Sequence, residues 1–175
     1  MDIEDRLNYI ETGKLPKFSY FKKEIDFAGT QRFYNENGQL HRDNDMPAII
    51  DADGTQGWYK NDKCHRDNDL PAVIYADGSQ LWYQNGKRHR DNDKPAIIYI
   101  SGYQAWFQDG QRHRDNDLPA EIRANGSQAW YKNGELHRDN DMPAIIRDDG
   151  TQFWYQNGKR HRDNDLPAVI KANGD

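Results

Sequence analysis

The sequence predicts an all-β fold: an elongated antiparallel β-hairpin tandem-repeat solenoid with a short N-terminal α-helical cap. Three observations lead there. The pentapeptide His-Arg-Asp-Asn-Asp occurs six times, starting at His41, His65, His89, His113, His137 and His161, always 24 residues apart. A fixed period of this size marks stacked supersecondary units. Within each period, Asx-Gly pairs separate runs rich in apolar residues, the strongest short-range hairpin signal. Finally, 35% of residues are hydrophobic and 30% are charged. That is thin for a deep round core and suits units that bury surface only against their neighbours. Five Trp, ten Tyr and six Phe argue against disorder.

Pro71 to Arg90 serves as the type unit. Asp77-Gly78 and Asn85-Gly86 read as two-residue turns with both residues left-handed. They delimit three strand segments, 71–76, 79–84 and 87–90, with Asp91-Asn92-Asp93-Lys94 as a linker to Pro95. A two-residue turn at Asp77-Gly78 places Ile74 opposite Leu81 and Ala72 opposite Tyr83. Directly opposed residues share a face. One face then carries Ala72, Ile74, Leu81 and Tyr83, and is expected to be the more buried. The other carries Val73, Gln80 and Trp82. Across Asn85-Gly86, Trp82 opposes His89, giving the pairs Trp58–His65, Trp82–His89, Trp106–His113, Trp130–His137 and Trp154–His161.

The ends differ. Residues 1–28 are expected to form the cap, a short helix plus linker, with Ile3, Leu7 and Ile10 at helical spacing, Asp2 as N-cap and Gly13 as stop. Residues 29–175 form the array, with a degenerate first unit from Gly29 that carries one extra residue before His41, then units beginning near 41, 65, 89, 113, 137 and 161. The last strand segment, 167–172, lacks a following hairpin partner, and such an edge invites strand addition or self-association.

Composition excludes several function classes. The net charge of −5 and pI near 5.7 do not suit nucleic acid, which needs clustered Lys and Arg, and make an anionic membrane surface an unfavourable partner. No stretch has the length of a membrane span, and the start Met-Asp-Ile-Glu-Asp-Arg lacks a signal peptide's basic and apolar regions. The single cysteine, Cys64, stands where other units carry Arg or Leu and has no partner for a disulfide within the chain. A cytoplasmic protein is expected.

Six near-identical units offer no unique asymmetric cluster, so no catalytic residue and no enzyme activity is expected. His-Arg-Asp also occurs in kinase catalytic loops, but their Asn, glycine-rich loop and Asp-Phe-Gly are missing. From Asp43 the calcium-loop pattern fails after two ligands, at Pro47 and Gly54. A weak Ca2+ site between stacked loops, pairing Asp67 and Asp69 with Asp91 and Asp93, stands as the alternative to a structural ladder. In that ladder His41, His65, His89, His113, His137 and His161 pack on Trp. Asp43, Asp67, Asp91, Asp115, Asp139 and Asp163, with the second Asp of each motif, cap turns or pair with Arg66, Arg90 and their repeats. Units are too far apart for two His to share a metal, so no cofactor is expected.

Positions that differ between units mark where a partner would bind. In strand one these are Asp51, Tyr75, Tyr99, Arg123, Arg147 and Lys171; in strand two, Gly57, Leu81, Ala105, Ala129 and Phe153. The first series runs from acidic through aromatic to basic and is expected beside the Trp/His ladder, with Trp58, Trp82, Trp106, Trp130 and Trp154 contributing to the same surface. A varied stripe on a rigid repeat suits a protein partner.

The block Trp82-Tyr83-Gln84-Asn85-Gly86-Lys87-Arg88-His89-Arg90, leading to Pro95-Ala96, resembles variant MORN-type repeats over residues 29–175. It shares their aromatic-then-Gly hairpin and nearly their length. It lacks their Tyr-x-Gly-x-Trp and adds His-Arg-Asp-Asn-Asp-x-Pro-Ala. The resemblance implies a hairpin array and a scaffold or interaction role of the kind found in bacteria, phages and large viruses. The expected function is a non-catalytic scaffold that binds another protein, as an inhibitor or adaptor. The alternatives are a divalent-cation-stabilised, self-assembling repeat, or a small-ligand binder using a Trp/His cleft, for which Ser101–Phe107 departs most from the pattern.

Overall fold

The structure, a computed structural model, describes residues 21–173. No helix occurs among them, so none is long or apolar enough to cross a membrane. The helix expected around Ile3, Leu7 and Ile10 lies outside the described residues. Lys22–Ile25, expected as linker, is instead a strand paired with Gln31–Tyr34. The sheet therefore begins before residue 29.

Each unit contributes two strands to one long antiparallel sheet of 13 strands, which meanders from Lys22–Ile25 to Val169–Ile170. The second hairpin of each unit does not join it. Five separate two-stranded ribbons result, such as Tyr83–Gln84 with Lys87–Arg88. The break falls at Trp82. Its N–H donates to the carbonyl of Ala96 in the next unit at 2.8 Å. Beside it, the N–H of Ala72 donates to Leu81 O at 2.8 Å although the register partner of Leu81 is Val73. Two residues face one, which is a β-bulge, and bulges bend a strand out of its sheet. The ribbons then stack on one another, with Gly86 N–H donating to Cys64 O and Gly110 N–H to Arg88 O, both at 2.9 Å.

The turns decide the register. Asn85 (φ 51°) and Gly86 (φ 83°) are both left-handed, the two-residue turn that the sequence predicts. Trp82 and His89 face each other as expected, joined by His89 N–H to Trp82 O at 3.2 Å. The first turn differs. Only Gly78 is left-handed (φ 88°), and Tyr75 N–H reaches Ser79 O at 2.9 Å. The loop thus has three residues, Ala76-Asp77-Gly78, and the Asp77 carboxylate accepts from Ser79 N–H at 2.8 Å. Three-residue loops with a left-handed Gly are the next hairpin class after two-residue ones. Val73 therefore pairs with Leu81, and Ile74 with Gln80. The expected pairing of Ile74 with Leu81 was out by one residue, and a one-residue slip exchanges the faces. Leu81 stands with Val73, and Ile74 with Gln80.

The corrected register makes two ladders. One repeats Ile and Gln along its length: Ile50, Gln56, Ile74, Gln80, Ile98, Gln104 and so on to Ile170, nearly all half-buried. The other joins Val73, Leu81, Ile97, Ala105, Glu121 and Ala129 and is the more buried. The core lies on this second face, where Leu81, Ile97, Ala105 and Phe107 cluster with Trp82 and Ala96. Ala48, Ala72, Ala96, Ala120 and Ala144 have no exposed surface at all.

A third turn was missed. Asn92 (φ 59°) and Asp93 (φ 53°) are both left-handed, as are their counterparts in all six copies. The Asp-Asn-Asp segment is a tight turn rather than a linker, and Asn and Asp are the non-glycine residues that tolerate this conformation best. The extra residue of the first unit also finds its place. It widens the hairpin between Tyr34 and Leu40, where Gly38 N–H donates to Asn35 O at 3.0 Å. Phe33 stands there in the Trp position, with its N–H on Ala48 O.

Asn92→Val forces a β-branched residue into a left-handed site and is expected to cost about 1–2 kcal/mol, whereas Asn92→Gly stays within about 0.5 kcal/mol of the parent. Urea unfolding of the two variants checks this; equal losses would contradict it.

Candidate functional site: an inter-unit seam and a graded edge

The motif repeated in every unit builds a seam between units. In each of the first five copies the second Asp, the Trp of the next unit and the Arg of that next unit form one cluster. The indole N–H of Trp82 donates to the backbone oxygen of Asp69 at 3.0 Å. The Arg90 guanidinium lies 3.7 Å from the centre of the Trp82 ring. Its Nε donates to the Asp69 carboxylate at 2.7 Å, and its Nη1 to Pro95 O at 3.3 Å. The same contacts recur as Asp45–Trp58–Arg66, Asp93–Trp106–Arg114, Asp117–Trp130–Arg138 and Asp141–Trp154–Arg162. At the first junction Arg42 covers Phe33 instead, 3.7 Å from its ring centre.

These contacts correct two expectations. The five Trp are only 4–6% exposed. They are spent inside the seam and leave little for a partner to touch. Nor does His form the stacked pair with Trp; Arg does. His instead joins two neighbouring loops. His65 Nδ1 accepts the N–H of Asn85 in the next unit at 3.0 Å, while its Nε2 lies 2.9 Å from the Asp67 carboxylate. A backbone N–H can only donate, so Nδ1 is bare and Nε2 carries the proton. Both ring nitrogens are occupied in this way at His65, His89, His113 and His137. His41 and His161 likewise meet Asp43 and Asp163 through Nε2. The first Asp of each motif meets His rather than a turn N–H, and the second Asp of the first five motifs holds the Arg of the next unit. Asp67 and Asp69 thus have different partners, and no group of three or more potential metal ligands occurs among the described residues.

Shallow recesses of about 180–250 Å3 repeat between successive loops; one is lined by His65, Asp67, Trp82, Gln84 and His89. Cys64 is largely buried, and that burial pushes its thiol up to about 12, which leaves it a protonated, unreactive packing residue at neutral pH.

The variable positions separate into two groups. Gly57, Leu81, Ala105 and Ala129 are buried and Phe153 half-buried on the inner ladder, so they vary for packing. A Cβ on Gly57 would lie 3.0 Å from the Tyr59 ring, which occupies that space in this unit. Asp51, Tyr75, Tyr99, Arg123 and Arg147 lie elsewhere. Each precedes the first turn and receives the turn glycine's N–H on its carbonyl. That is the end of the strands remote from Trp and Ala, so the row runs along the opposite edge from the Trp/His seam and not beside it. At its middle, Tyr99 stacks on Tyr103 with ring centres 5.4 Å apart, Tyr75 is 39% exposed and Ile100 is 74% exposed. Tyr75, Tyr99 and Ile100 line a recess of about 310 Å3 together with Asp77, Ser79 and Ser101.

One functional-looking residue was missed. Glu121 is 4% exposed on the inner ladder. It meets Arg123 at 3.0 Å and Arg112 at 3.3 Å, while Arg112 also donates to the Tyr103 hydroxyl. The signal was present, since Glu121 stands where other units have Ile49, Val73, Ile97, Ile145 and Val169.

A scan against protein-family models gave no match, and a search of curated proteins gave none either. The repeated hairpins are compatible with the MORN resemblance without identifying that family.

The seam sets an acid limit on stability. Hydrogen bonds from Arg66, Arg114 and Arg138 hold Asp45, Asp93 and Asp117 below the ordinary carboxylate range. Asp69, bonded first to Arg90 and also to Lys94, falls to about 2. A carboxylate depressed in the folded chain stabilises it fully above its unfolded value of about 3.9, and that contribution is lost as pH falls through the folded value. Urea stability is therefore expected to decline from about pH 5 towards pH 2, and Lys94→Met should move the lower end of the decline upward. Arg114→Leu, which removes both the ring contact and the pair to Asp93, should cost about 1–2 kcal/mol at pH 7. A stability flat across this pH range would contradict the account.

Proposed function

We propose that this chain is a non-catalytic, solenoid-like repeat scaffold that binds another protein through the graded edge at Asp51, Tyr75, Tyr99, Arg123 and Arg147. One observation carries the reading. The Trp, Arg, Asp and His residues common to all units are engaged with one another across the seam, whereas the first-turn edge varies in chemistry from unit to unit and exposes aromatic and aliphatic side chains at its centre. A rigid frame with one variable, partly apolar stripe is what selective recognition of a protein requires. Tyr and Arg are also the residue types that carry most energy at protein interfaces. An adaptor or an inhibitor that occludes its target suits such a surface, because neither needs a reaction centre.

The test is affinity capture from cells that produce the chain, comparing the parent with Tyr99→Ser/Ile100→Ser and with Asp115→Ser on the seam side. The edge variant is expected to lose at least about tenfold of the captured partner, while Asp115→Ser keeps it. Equal capture by both variants would overturn the reading.

A further inference from the structure

The row along the graded edge is longer than the five positions above, and its order is informative. Asp26 makes the same two turn hydrogen bonds as Asp51, Tyr75, Tyr99, Arg123 and Arg147: its N–H reaches Thr30 O, and its carbonyl receives Gly29 N–H, both at 3.0 Å. Lys171 follows at the next period, just after Val169–Ile170. The seven positions therefore read Asp, Asp, Tyr, Tyr, Arg, Arg, Lys. Tyr99 is the fourth, at the centre.

About Tyr99 the two outer pairs of this order are opposite in charge, and the inner pair sets a Tyr against an Arg. Neighbours in the row are two strands apart, about 10 Å. Asp51 and Arg147 thus stand at equal distances from Tyr99, about 19 Å on either side along the sheet. Asp26 and Lys171 are likewise equidistant, and so are Tyr75 and Arg123. A two-fold axis through Tyr99 brings each residue of the first half opposite its counterpart in the second half. Asp26 would face Lys171, Asp51 would face Arg147, and Tyr75 would present its ring to Arg123. At the axis, Tyr99 and the 74%-exposed Ile100 would meet their own copies. An interface of this kind is isologous, the same patch on both subunits.

We propose that the graded edge binds a second copy of this chain in an antiparallel, two-fold arrangement. The proposal rests on reading the edge as a protein-binding surface and names the partner. The unit at the axis departs from the repeat in the needed direction. Where the other full units have Ala or Asp and then Asp or Asn before the turn glycine, it has Ile100 and Ser101; only the degenerate first unit, with Phe27 and Ala28, shares that departure. An apolar side chain replaces Ala, and a carboxylate is absent from the point where two copies would bring like charges together. The charges that face across the axis keep their local roles. Asp26 holds Arg32 at 2.7 Å, Arg123 holds Glu121, and Arg147 lies 4.6 Å from the centre of the Phe153 ring. They are therefore positioned before a partner arrives, which lowers the ordering cost of association. A parallel arrangement would instead set Asp against Asp and Arg against Arg.

Sedimentation velocity of the full chain at low ionic strength, over a wide concentration range, tests this. A monomer–dimer equilibrium weakened by salt is expected. Asp51→Arg should weaken the dimer by about tenfold or more, as should Arg147→Asp, because each sets like charges opposite one another twice. The double variant Asp51→Arg/Arg147→Asp should recover most of the loss. Ile100→Ser should weaken the dimer without changing its salt dependence. All three positions lie at the edge, and circular dichroism of each variant checks that the fold is kept. A parent that stays monomeric, or a double variant no better than the singles, overturns the two-fold dimer. If the monomeric parent still captures a foreign protein that Tyr99→Ser/Ile100→Ser loses, only the second copy is refuted. If a dimer forms that none of the edge variants weakens, the edge itself is refuted.

Discussion

The fold depends on an arginine held between two units. Arg90 lies on the ring of Trp82 and grips the carboxylate of Asp69 in the unit before. The indole N–H of Trp82 reaches back to the same Asp69 through its backbone oxygen. Three residue types thus satisfy one another across a junction. The energies divide unevenly. Burying a Trp contributes several kcal/mol, while the ion pair, on a carboxylate that is about a third exposed, contributes no more than about 1 kcal/mol. Burial supplies the adhesion, and the directional Arg–Asp pair supplies the register. Strands of two residues are far shorter than those that stand alone, so a unit is stable only when its neighbours complete it.

This division explains why the repeat tolerates change where it does. Residues of the seam answer to a neighbouring unit, and replacing one leaves a half-buried partner unsatisfied. Inner-ladder residues answer to packing, as at Gly57, where the Tyr59 ring takes the space of a side chain. The first-turn edge answers to them least. Its turns are fixed by hydrogen bonds that any residue can make, and although Asp51 accepts from the Thr30 hydroxyl and Tyr99 stacks on Tyr103, its side chains differ from unit to unit and can encode recognition. Glu121 is the exception: a buried carboxylate in an apolar ladder, tied to Arg123 on the edge and to Arg112 in the ribbon. It couples the inner packing of one unit to the charge its edge displays.

Much of this was legible in the sequence. The 24-residue period, the left-handed Asn85-Gly86 turn and the Trp82–His89 pairing all follow from residue types whose conformational preferences are narrow. The first turn was not legible, because Asp-Gly suits both a two-residue loop and the last positions of a three-residue loop, and the two differ by one residue of register. That single ambiguity exchanged the faces of Leu81 and its neighbours, whereas the graded row was set beside the Trp/His ladder on face parity alone, which ignores that Tyr75 and its repeats stand at the turn end of their strands. The Asp-Asn-Asp turn was missed because it lacks glycine, although Asn and Asp tolerate left-handed backbone. The stacking partner of Trp was misjudged because cross-strand pairing puts His opposite it, while Arg, one residue on, has the reach and planar charge to cover the ring.

Hydrogen exchange at the five indole N–H groups, followed by NMR in the parent and in Asp93→Asn, tests the junction most directly. Asn keeps the left-handed backbone and the carbonyl that accepts the Trp106 indole, and removes only the charge that holds Arg114. The account predicts faster exchange at Trp106, a smaller effect at Trp82 and Trp130, and almost none at Trp58 and Trp154. Uniform acceleration of all five, or no change at Trp106, would contradict it.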